Sequence, residues 1–350
     1  MAESEHPAAL PGAPTLMDVA RAAGVSRQTV SNVLHAPEKV RPATREKVER
    51  YVRLLSYEPN RQAQSLARNA SRMIGYRIQP LAPGALASIH DRFLHALAEA
   101  GQAADHHLVL FPAAHPEAEI AGMTRMHRGG TADTFVLYDV TAADPRPAAL
   151  LGLGVPFVAF GRTRTDTDTY SWIDVDGVTG IGDAVTHLAH RGHRRIAYLG
   201  WAEGSTIGDR RAEGWAEAIQ RLGLAAGREE LQVHSPDAVP DAIRATFQLL
   251  ERPDPPTAIV TGSDTLAVGA VQAAQQWGLT VGRDLAIVGF DDTPTAAALN
   301  LSSVRQPIEQ VGQRVVAALL RPQSARPTGE LLRTQLIIRS SSAGPAPGRG

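Results

Sequence analysis

Cysteine is absent from this chain of 350 residues. Its absence excludes a disulfide scaffold, a thiolate metal site and a cysteine nucleophile, and it suits a reducing compartment. Long apolar runs are also absent: no stretch of about 18 apolar residues occurs, so we expect no membrane span. The opening residues, MAESEHPAALPGAP, contain acids where a signal peptide needs bases and lack an apolar segment, which predicts a cytoplasmic protein.

Charge is present but unevenly distributed. The whole chain carries a net charge of −1, yet residues 15–72 contain eleven Lys and Arg against five Asp and Glu. That segment is therefore +6 and the rest of the chain −7. A basic module attached to an acidic body is typical of a protein that binds a polyanion. A solvated charged face gives the same count, so the choice between the two depends on the motif within the segment.

The basic segment begins with the pattern of two short helices joined by a tight turn. In TLMDVARAAGVSRQTVSNVL, Thr15 and Ser26 are placed to cap helices, and Gly24 supplies the turn between them. A third helix is predicted to start at Pro42. Apolar residues at helical spacing predict one small core shared by the three helices: Leu16, Val19, Ala20, Ala23, Val30, Val33, Leu34, Val48, Tyr51, Val52 and Leu55. The segment is predicted to be a helix-turn-helix, preceded by a disordered tail at residues 1–14.

The second helix carries the polar side chains that would meet DNA. In a helix-turn-helix, the N-terminal residues of this helix reach base edges in the major groove. Arg27 can pair with guanine, Gln28 with adenine, and Asn32 lies one turn further along the same face. Side chains suited to anchoring on phosphates or bases flank them: Ser26, Thr29 and Ser31. The alternative is a three-helix bundle without a DNA role, and the polar outer face on a basic module makes it the weaker interpretation.

From residue 73 onward, strand-like apolar runs alternate with helical patterns. Runs such as HLVLF, TFVLYDV and DLAIVGF are separated by segments such as TLAVGAVQAAQQWG. This alternation predicts parallel sheets with crossover helices, and the length of the chain favours two or three domains. Ligands of open α/β sheets bind beyond the carboxyl ends of the strands, so binding residues are expected in the loops that follow the strands.

Taken together, these segments resemble the lactose-repressor (LacI/GalR) family of bacterial transcription regulators. The resemblance rests on TLMDVARAAGVSRQTVSNVL, PATREKV, LSYEPNRQAQSLAR and IGY, and it extends over about residues 15–340. It implies an α/β fold with an N-terminal three-helix DNA-binding domain and a periplasmic-binding-protein-like body of two doubly wound parallel-sheet subdomains. It also implies a homodimer on double-stranded, pseudo-palindromic operator DNA, controlled by a small effector, a sugar or sugar derivative. The tail lacks a leucine heptad, which favours a dimer over a tetramer.

The resemblance also implies where the domains begin and end. The expected segments are a DNA-binding domain at 15–60, a hinge at 61–72, a body at 73–340 and a flexible tail at 341–350. Within the body, the chain would cross between the subdomains near 162–166, near 292–294 and near 321. Subdomain one would then comprise about 73–162 and 293–321, and subdomain two about 163–292 and 322–340.

The hinge is the second expected contact with DNA. In YEPNRQAQSLARN, Pro59 precedes a short helical pattern that would be marginal as an isolated helix. The resemblance assigns Leu66 to the minor groove, where a leucine wedge unstacks a base step and bends the duplex onto more protein surface. A plain linker, with Leu66 packed on the core, is the alternative. The remaining DNA contacts that the resemblance implies are Thr15, Leu16, His35, Tyr57, Asn60 and Ala63.

An effector site is implied between the two subdomains. Arg211 and Asp291 are the effector ligands that the resemblance implies, and an Arg presents a planar set of donors suited to vicinal hydroxyls or a carboxylate. Trp201, at a strand end, is placed to stack on a sugar ring. Asp264 is predicted to cap a helix rather than to bind the effector. The other effector candidates are Gln79, Arg162, Ser205 and Ser263, the last standing where the family often has Asn.

Two departures from the family pattern bear on the effector. After VPFVAF some relatives carry an effector-binding Asp, whereas this chain has Gly161 followed by Arg162. After the first strand of the body, Gln79 is the only obvious polar candidate. Both departures favour an effector that is bulkier or more anionic than a plain monosaccharide.

Catalytic, metal and cofactor sites are not predicted. Two acids, Asp291 and Asp292, follow a buried strand, but no nucleophile and base accompany them, and the chain has neither a Walker-type phosphate loop nor a G-x-G-x-x-G after a strand. The histidines of HLAHRGHRR are expected to mark a helix end at Gly192 rather than a zinc site. The rival interpretations are a cytosolic sugar-binding protein and a sugar-processing enzyme fused to a DNA-binding module.

Overall fold

The computed structural model describes residues 14–57, 71–78, 88–165, 167–224, 228–322 and 325–344. The chain divides into two compact units, Met1–Ser71 and Arg72–Gly350. Within the described ranges, no helix combines the length and the hydrophobicity that crossing a membrane would need.

The first unit is a bundle of three short helices. They are α1 (Leu16–Ala23), α2 (Arg27–His35) and α3 (Pro42–Leu54), with a 3-10 turn at Pro37–Lys39. The fully or nearly buried side chains come from all three helices: Val19, Ala20, Ala23, Val30, Val33 and Val48. The helix-turn-helix predicted from the sequence is therefore confirmed.

Local hydrogen bonds fix the corner between α1 and α2. Thr15 caps α1 through a reciprocal capping box with Asp18. Gly24 ends α1 in the left-handed conformation, at φ 61°, where a side chain would be strained. Ser26 then caps α2, because its hydroxyl accepts a hydrogen bond from the Thr29 amide at 3.1 Å.

The second unit alternates strands and helices along the chain. Its strands are β1 (Met73–Ile78), β2 (His107–Pro112), β3 (Thr134–Leu137), β4 (Phe157–Phe160), β5 (Trp172–Val175), β6 (Ile196–Gly200), β7 (Gln232–His234), β8 (Ala258–Thr261), β9 (Ala286–Asp291), β10 (Ser302–Arg305), β11 (Gly329–Leu332) and β12 (Gln335–Ile337). Its helices are α4 (Ser88–Ala103), α5 (Pro116–Arg128), α6 (Arg146–Gly152), α7 (Gly177–His190), α8 (Thr206–Arg221), α9 (Val239–Leu250), α10 (Asp264–Gln276), α11 (Pro294–Ala298), α12 (Ile308–Leu319) and α13 (Ser340–Ala343), with a 3-10 turn at Arg228–Leu231.

These strands form two six-stranded sheets. Sheet one has the order β11-β5-β4-β3-β1-β2 and is parallel throughout. Sheet two has the order β12-β10-β9-β8-β6-β7 and is parallel except at its edge, where β12 runs antiparallel to β10. The parallel sheets predicted from the alternation of strand and helix patterns, and the two subdomains that the resemblance implies, are confirmed.

Helices cover both faces of each sheet. On sheet one, Phe135 and Leu137 pack into a cluster with Met123 of α5 and Leu150 of α6. The intervening strand residue, Val136, faces the other way, into a cluster built with α4 and α12. Sheet two lies within one larger cluster, to which α7, α8, α9 and α10 contribute. Successive side chains of a strand point to opposite faces of the sheet, so neighbouring residues of β3 pack into two different hydrophobic cores.

The chain crosses between the two sheets at later residues than the resemblance implies. The crossings lie near residue 176 after β5, near 306 before α12, and near 333 between β11 and β12. The expected positions near 162–166, 292–294 and 321 are therefore wrong, each by about 10–14 residues. The cause is non-local: β5 belongs to sheet one because it pairs with β4 and β11, and β10 belongs to sheet two because it pairs with β9.

One helix cap was also assigned to the wrong residue. Ser263, not Asp264, caps α10, because its hydroxyl accepts the Leu266 amide at 3.2 Å. The Asp264 carboxylate is buried and accepts hydrogen bonds from the Thr293 amide at 2.7 Å and the Ser303 hydroxyl at 2.6 Å. Asp264 therefore ties α10 to the segments on either side of α11.

Candidate nucleic-acid interface and ligand cavity

Helix α2 presents an exposed polar surface at its N-terminal end. Ser26, Arg27 and Gln28 are exposed there, and the first turn contains no acid. The Gln28 side-chain amide donates to Asn32 Oδ1 at 2.9 Å, which holds these two side chains on one face of the helix. A helix N-terminus without acids favours anions such as the phosphates of a nucleic acid.

The other predicted DNA contacts fall into three groups. Thr15 is exposed at the start of α1, and Thr29 and Ser31 are half-buried on α2. Leu16 and Tyr57 pack against the core of the bundle; only 7% of Tyr57 is exposed, and burial raises the pKa of its hydroxyl. The contacts assigned to Asn60, Ala63, Leu66 and the side chain of His35 lie outside the described residues, as does the hinge helix.

A cavity lies between the two sheets of the second unit, beyond the carboxyl ends of several parallel strands. Sheet-one segments contribute Ile89, His90, Tyr138, Asp139, Phe160, Arg162, Asp174 and Val175, and sheet-two segments contribute Gly177, Trp201, Thr206, Ile207, Arg210, Arg211, Asp237, Phe290, Asp291 and Gln306. Its volume is about 90 Å³. Ligand pockets usually have a volume of about 300–1,000 Å³, so a sugar would have to move the walls apart.

Four of the seven predicted effector residues line this cavity: Arg162, Trp201, Arg211 and Asp291. Ser205 and Ser263 do not line it and instead cap helices, Ser205 by accepting the Gly208 amide at 3.2 Å. Gln79 lies outside the described residues. The strand-end rule therefore led both to residues that line the cavity and to residues that cap helices.

Arg211, on α8, is held by contacts on several sides. Its Nη1 donates to the Gly262 carbonyl, and its Nη2 lies 3.7 Å from Asp291 Oδ1. The guanidinium carbon lies 3.7 Å from the ring centroid of Phe290 and 5.2 Å from that of Trp201. Only 5% of the residue is exposed. The guanidinium therefore lies against two aromatic rings and is held in one orientation, which suits a rigid recognition group.

Asp291, at the end of β9, occupies an unusual position for an acid. Its φ is 111°, a backbone conformation that non-glycine residues rarely adopt and that is common at functional sites. The Gln306 amide donates to its Oδ1 at 2.5 Å. Burial raises the pKa of its carboxyl to about 8, although Arg211 acts in the opposite direction. Burial therefore favours the protonated form of Asp291, which can donate a hydrogen bond.

Arg162, on the opposite wall, also has an aspartate as its neighbour. Its Nε lies 3.1 Å from Asp174 Oδ2, and its guanidinium carbon lies 4.6 Å from the centre of the Trp172 ring. Burial raises the pKa of Asp174, and the Val175 amide and Arg162 lower it. Each wall thus carries an arginine paired with an aspartate.

Several cavity residues were missed in the sequence analysis. Tyr138 and Asp139 follow β3, Asp237 follows β7 and Gln306 follows β10, so the strand-end rule would have found them if it had been applied to every strand. His90 has no such signal, because it lies on α4. Burial lowers the pKa of His90, and the nearby carboxylates of Asp139 and Asp237 partly offset this effect.

Metal binding finds no support in the described part of the chain. No group of three or more His, Cys, Asp or Glu side chains is placed there to hold an ion. The three histidines of HLAHRGHRR have other places in the fold: α7 ends at His190, His187 contacts Ser342, and His193 Nδ1 lies 2.9 Å from the Thr257 hydroxyl.

Comparison with known proteins places these two parts in one family. Residues 15–60 match the model of bacterial regulatory proteins of the lacI family, and residues 185–342 match a periplasmic binding protein-like domain. The chain is 36% identical to the HTH-type transcriptional regulator AglR of Rhizobium meliloti (strain 1021), over 95% of each chain. It is 30% identical to the HTH-type transcriptional regulator CelR of Thermobifida fusca, over 94% of this chain and 98% of CelR.

Solved structures agree with this assignment. The complex of the transcriptional regulator CelR with cellobiose is similar with a TM-score of 0.69 and 28% identity, over 94% of this chain and 99% of that chain. The lac repressor dimer bound to operator and the anti-inducer ONPF gives a TM-score of 0.78 at 26% identity, over 94% of this chain and 99% of that chain. The protein is therefore a DNA-binding transcriptional regulator. It belongs to the LacI family of bacterial regulatory proteins.

Proposed function

We propose that this regulator binds a pseudo-palindromic operator as a homodimer and represses transcription until a small carbohydrate occupies its cavity. The observation that carries the proposal is the combination, in one chain, of an exposed acid-free recognition helix and an enclosed cavity lined by paired charges and aromatic rings. The similarity to a lac repressor dimer on operator and to a CelR–cellobiose complex supports both halves.

Recognition of DNA is assigned to the N-terminal end of α2. Arg27 is exposed and free to pair with guanine, while the hydrogen bond from Gln28 to Asn32 holds two amide side chains side by side for adenine or its neighbours. Ser26, Thr29 and Ser31 are placed to hold the backbone. Leu66 of the hinge remains our candidate for a minor-groove wedge.

The cavity is suited to an uncharged polyhydroxy ligand. Three arginines line it (Arg162, Arg210 and Arg211), against four aspartates (Asp139, Asp174, Asp237 and Asp291). Burial favours the uncharged form of Asp291, which brings the numbers of positive and negative charges around the cavity close to equal. Balanced pairs of donors and acceptors favour hydroxyl groups over a net anion. Between the bulkier and the more anionic effector, we therefore favour the bulkier one, a neutral sugar of more than one ring.

Effector and operator are coupled through the relative orientation of the two subdomains. Since the cavity is lined from both sheets, a ligand that fits one arrangement better than the other shifts the population between them. The free energy of coupling is the difference between the ligand affinities of the two arrangements. We propose that the sugar-bound arrangement has the lower affinity for the operator.

We also propose that the chain has no catalytic activity and acts in the cytoplasm. The relatives it matches along most of its length are regulators, and a regulator of bacterial transcription must reach its DNA there. This argues against a sugar-processing enzyme fused to a DNA-binding module, and the DNA-binding unit argues against a simple sugar-binding protein.

Fluorescence anisotropy tests the proposal directly. Purified protein is titrated onto a pseudo-palindromic duplex taken from upstream of its own gene and onto a scrambled duplex, across a range of salt concentrations. Maltose, cellobiose, sucrose, glucose and glucose 6-phosphate are then added in turn. We expect tight binding to the first duplex only, and its loss with one of the neutral disaccharides.

Other results would contradict parts of the proposal. Release of the operator by glucose 6-phosphate alone would contradict the proposal that the ligand is neutral. Tighter operator binding with a sugar would replace induction by co-repression. Equal affinity for both duplexes, with only a steep dependence on salt, would mean that Arg27 and Gln28 do not read this sequence.

A further inference from the structure

Three buried polar atoms on one wall of the cavity have no hydrogen-bond partner among the described residues. They are Trp201 Nε1, Thr206 Oγ1 and Arg211 Nε. All three lie on the segment from the end of β6 into α8, and all three residues line the cavity. A buried polar group without a partner costs about 1–3 kcal/mol, so three such groups in one wall call for an explanation.

Their common property is that each can donate a hydrogen bond. The indole and guanidinium N–H groups are donors only, and a threonine hydroxyl can donate as well as accept. We call these three atoms, which belong to this one wall of the cavity, the donor floor. A ligand that completes it must offer acceptor oxygens at this end, and a sugar does so through its ring oxygen and neighbouring hydroxyls.

The Arg211 donor is fixed before any ligand binds. Its Nη1 is engaged by the Gly262 carbonyl, and its guanidinium lies against the rings of Trp201 and Phe290. On its aliphatic side, Gly177 leaves the space it needs, since an added Cβ there would lie 3.2 Å from Arg211 Cγ. The Nε–H therefore requires little further ordering when it meets a ligand.

Trp201 takes part through its edge rather than its face. The Arg211 guanidinium covers one face of the indole, and α8 packs closely on the ring at Gly208, where an added Cβ would lie 3.0 Å from Trp201 Cε3. The stacking role expected from the sequence is therefore disfavoured by these contacts. What remains for a ligand is the unpaired Nε1–H.

Thr206 is the least expected member of the floor. It is the first residue of α8, only 3% of it is exposed, and its hydroxyl faces no acceptor in the described part of the chain. A valine of the same shape would fill this position without an unpaired hydroxyl, so packing alone does not explain a threonine here.

We propose that the donor floor of Trp201, Thr206 and Arg211 recognises the ring oxygen and adjacent hydroxyl oxygens of a neutral sugar, with Thr206 a specificity-determining residue. This inference rests on the proposed carbohydrate effector and assigns one wall of its site. The opposite wall, with Asp139 and Asp174, then accepts hydrogen bonds from the hydroxyls at the far side of the ligand.

The test compares three variants by calorimetry and by thermal unfolding. Thr206→Val deletes one floor donor and keeps the shape of the side chain, and Trp201→Phe deletes the indole N–H and keeps a smaller aromatic ring. Thr246→Val is the matched control, because Thr246 is fully buried on α9, donates to the Ala242 carbonyl at 2.7 Å and does not line the cavity. The probe is whichever of maltose, cellobiose, sucrose and glucose binds the wild-type protein most tightly.

We expect each floor variant to bind that sugar about ten- to a hundredfold more weakly than the wild type, and Thr246→Val to bind it equally well. In the absence of sugar, the variants should differ in thermal stability in the opposite sense. Thr206→Val should keep the Tm of the wild type, whereas Thr246→Val should lower it by roughly 2 °C, because only Thr246→Val deletes a hydrogen bond that the free protein makes.

Two results would overturn the proposal. Wild-type affinity in Thr206→Val would show that the hydroxyl does not meet the ligand. A drop in Tm for Thr206→Val equal to that of Thr246→Val would show that the hydroxyl is already paired without ligand. If none of the four sugars binds the wild-type protein, the carbohydrate effector itself is refuted, and the comparison of Tm values still decides whether the floor is unpaired.

Discussion

The substitution Asp291→Asn should make the stability of the regulator less sensitive to pH. Burial raises the pKa of this carboxyl to about 8 in the folded protein, against 3.8 for an ordinary Asp. Between these two values the folded state holds a proton that the unfolded state has released. The free energy of unfolding therefore falls as pH rises, by up to about 1.4 kcal/mol for each pH unit. From pH 5 to pH 7 this carboxyl lowers the free energy of unfolding by about 3 kcal/mol, whereas an Asn does not titrate and causes no such decrease.

Other groups titrate in the same range, so the informative quantity is a difference between proteins. Burial raises the pKa of Asp264 to about 6, which acts in the same direction as Asp291, and lowers that of His193 to about 4, which acts in the opposite direction. Both groups are present in the variant. The difference between the two proteins in free energy of unfolding, taken at each pH, therefore removes most of the effect of Asp264 and His193. What remains is the titration of Asp291 and its repulsion with Asp264.

The assay is urea unfolding at pH 5, 6, 7 and 8, followed by tryptophan fluorescence without sugar. Asp284→Asn is the control, because the neighbouring Arg283 holds the pKa of Asp284 at about 2 and keeps it ionised over the whole range. We expect the advantage of Asp291→Asn over the wild type to grow by about 3 kcal/mol between pH 5 and pH 7, and that of Asp284→Asn to stay constant. A constant difference for Asp291→Asn would refute the argument that this carboxyl is buried in its neutral form.

Two further predictions concern the DNA-binding unit and the packing of the body. Arg27→Ala should weaken binding to the operator about 5- to 150-fold, as the loss of one bidentate base contact requires, and leave binding to a scrambled duplex almost unchanged; equal losses on both duplexes in an anisotropy titration would assign Arg27 to the phosphates. Gly214→Ala should destabilise the body by about 1–3 kcal/mol in urea, because the added Cβ would lie 2.9 Å from Val178 Cα of α7 and closer still to the Val178 carbonyl. An unchanged midpoint would mean that α7 and α8 separate at little cost.

The sequence was most informative where structure depends on neighbouring residues. Thr15, Gly24 and Ser26 marked the ends of α1 and α2 because caps and turns are formed within three or four residues of each other. The alternation of strand and helix patterns likewise predicted parallel sheets, since buried parallel strands are continuous apolar runs.

The sequence was least informative where structure depends on distant pairing. Which sheet β5 or β10 joins is decided by hydrogen bonds to β11 and β9, and no local pattern encodes that choice. The same limit applies to the site. Ser263 and Thr206 are both polar residues near a helix start, but only the fold shows that the hydroxyl of Ser263 caps α10 while that of Thr206 is left unpaired beside the cavity.

The three crossings between the sheets also determine how far a small change at the cavity is transmitted. The crossing segments are short, and two of them are joined, since the Thr334 hydroxyl donates to the Asp176 carbonyl at 3.3 Å and the Asp176 amide to the Leu332 carbonyl at 2.8 Å. Asp174, Gly177 and Gln306, which line the cavity, lie at or beside these segments, so a ligand bound as we propose would lie next to the crossings about which the two sheets can rotate. Strand β1 begins at the far end of sheet one, roughly 17 Å away along six residues. A rotation of sheet one by about 10° about the crossings would move that end of β1 by roughly 3 Å. A small separation of the cavity walls would therefore displace the start of the body by about the length of a hydrogen bond.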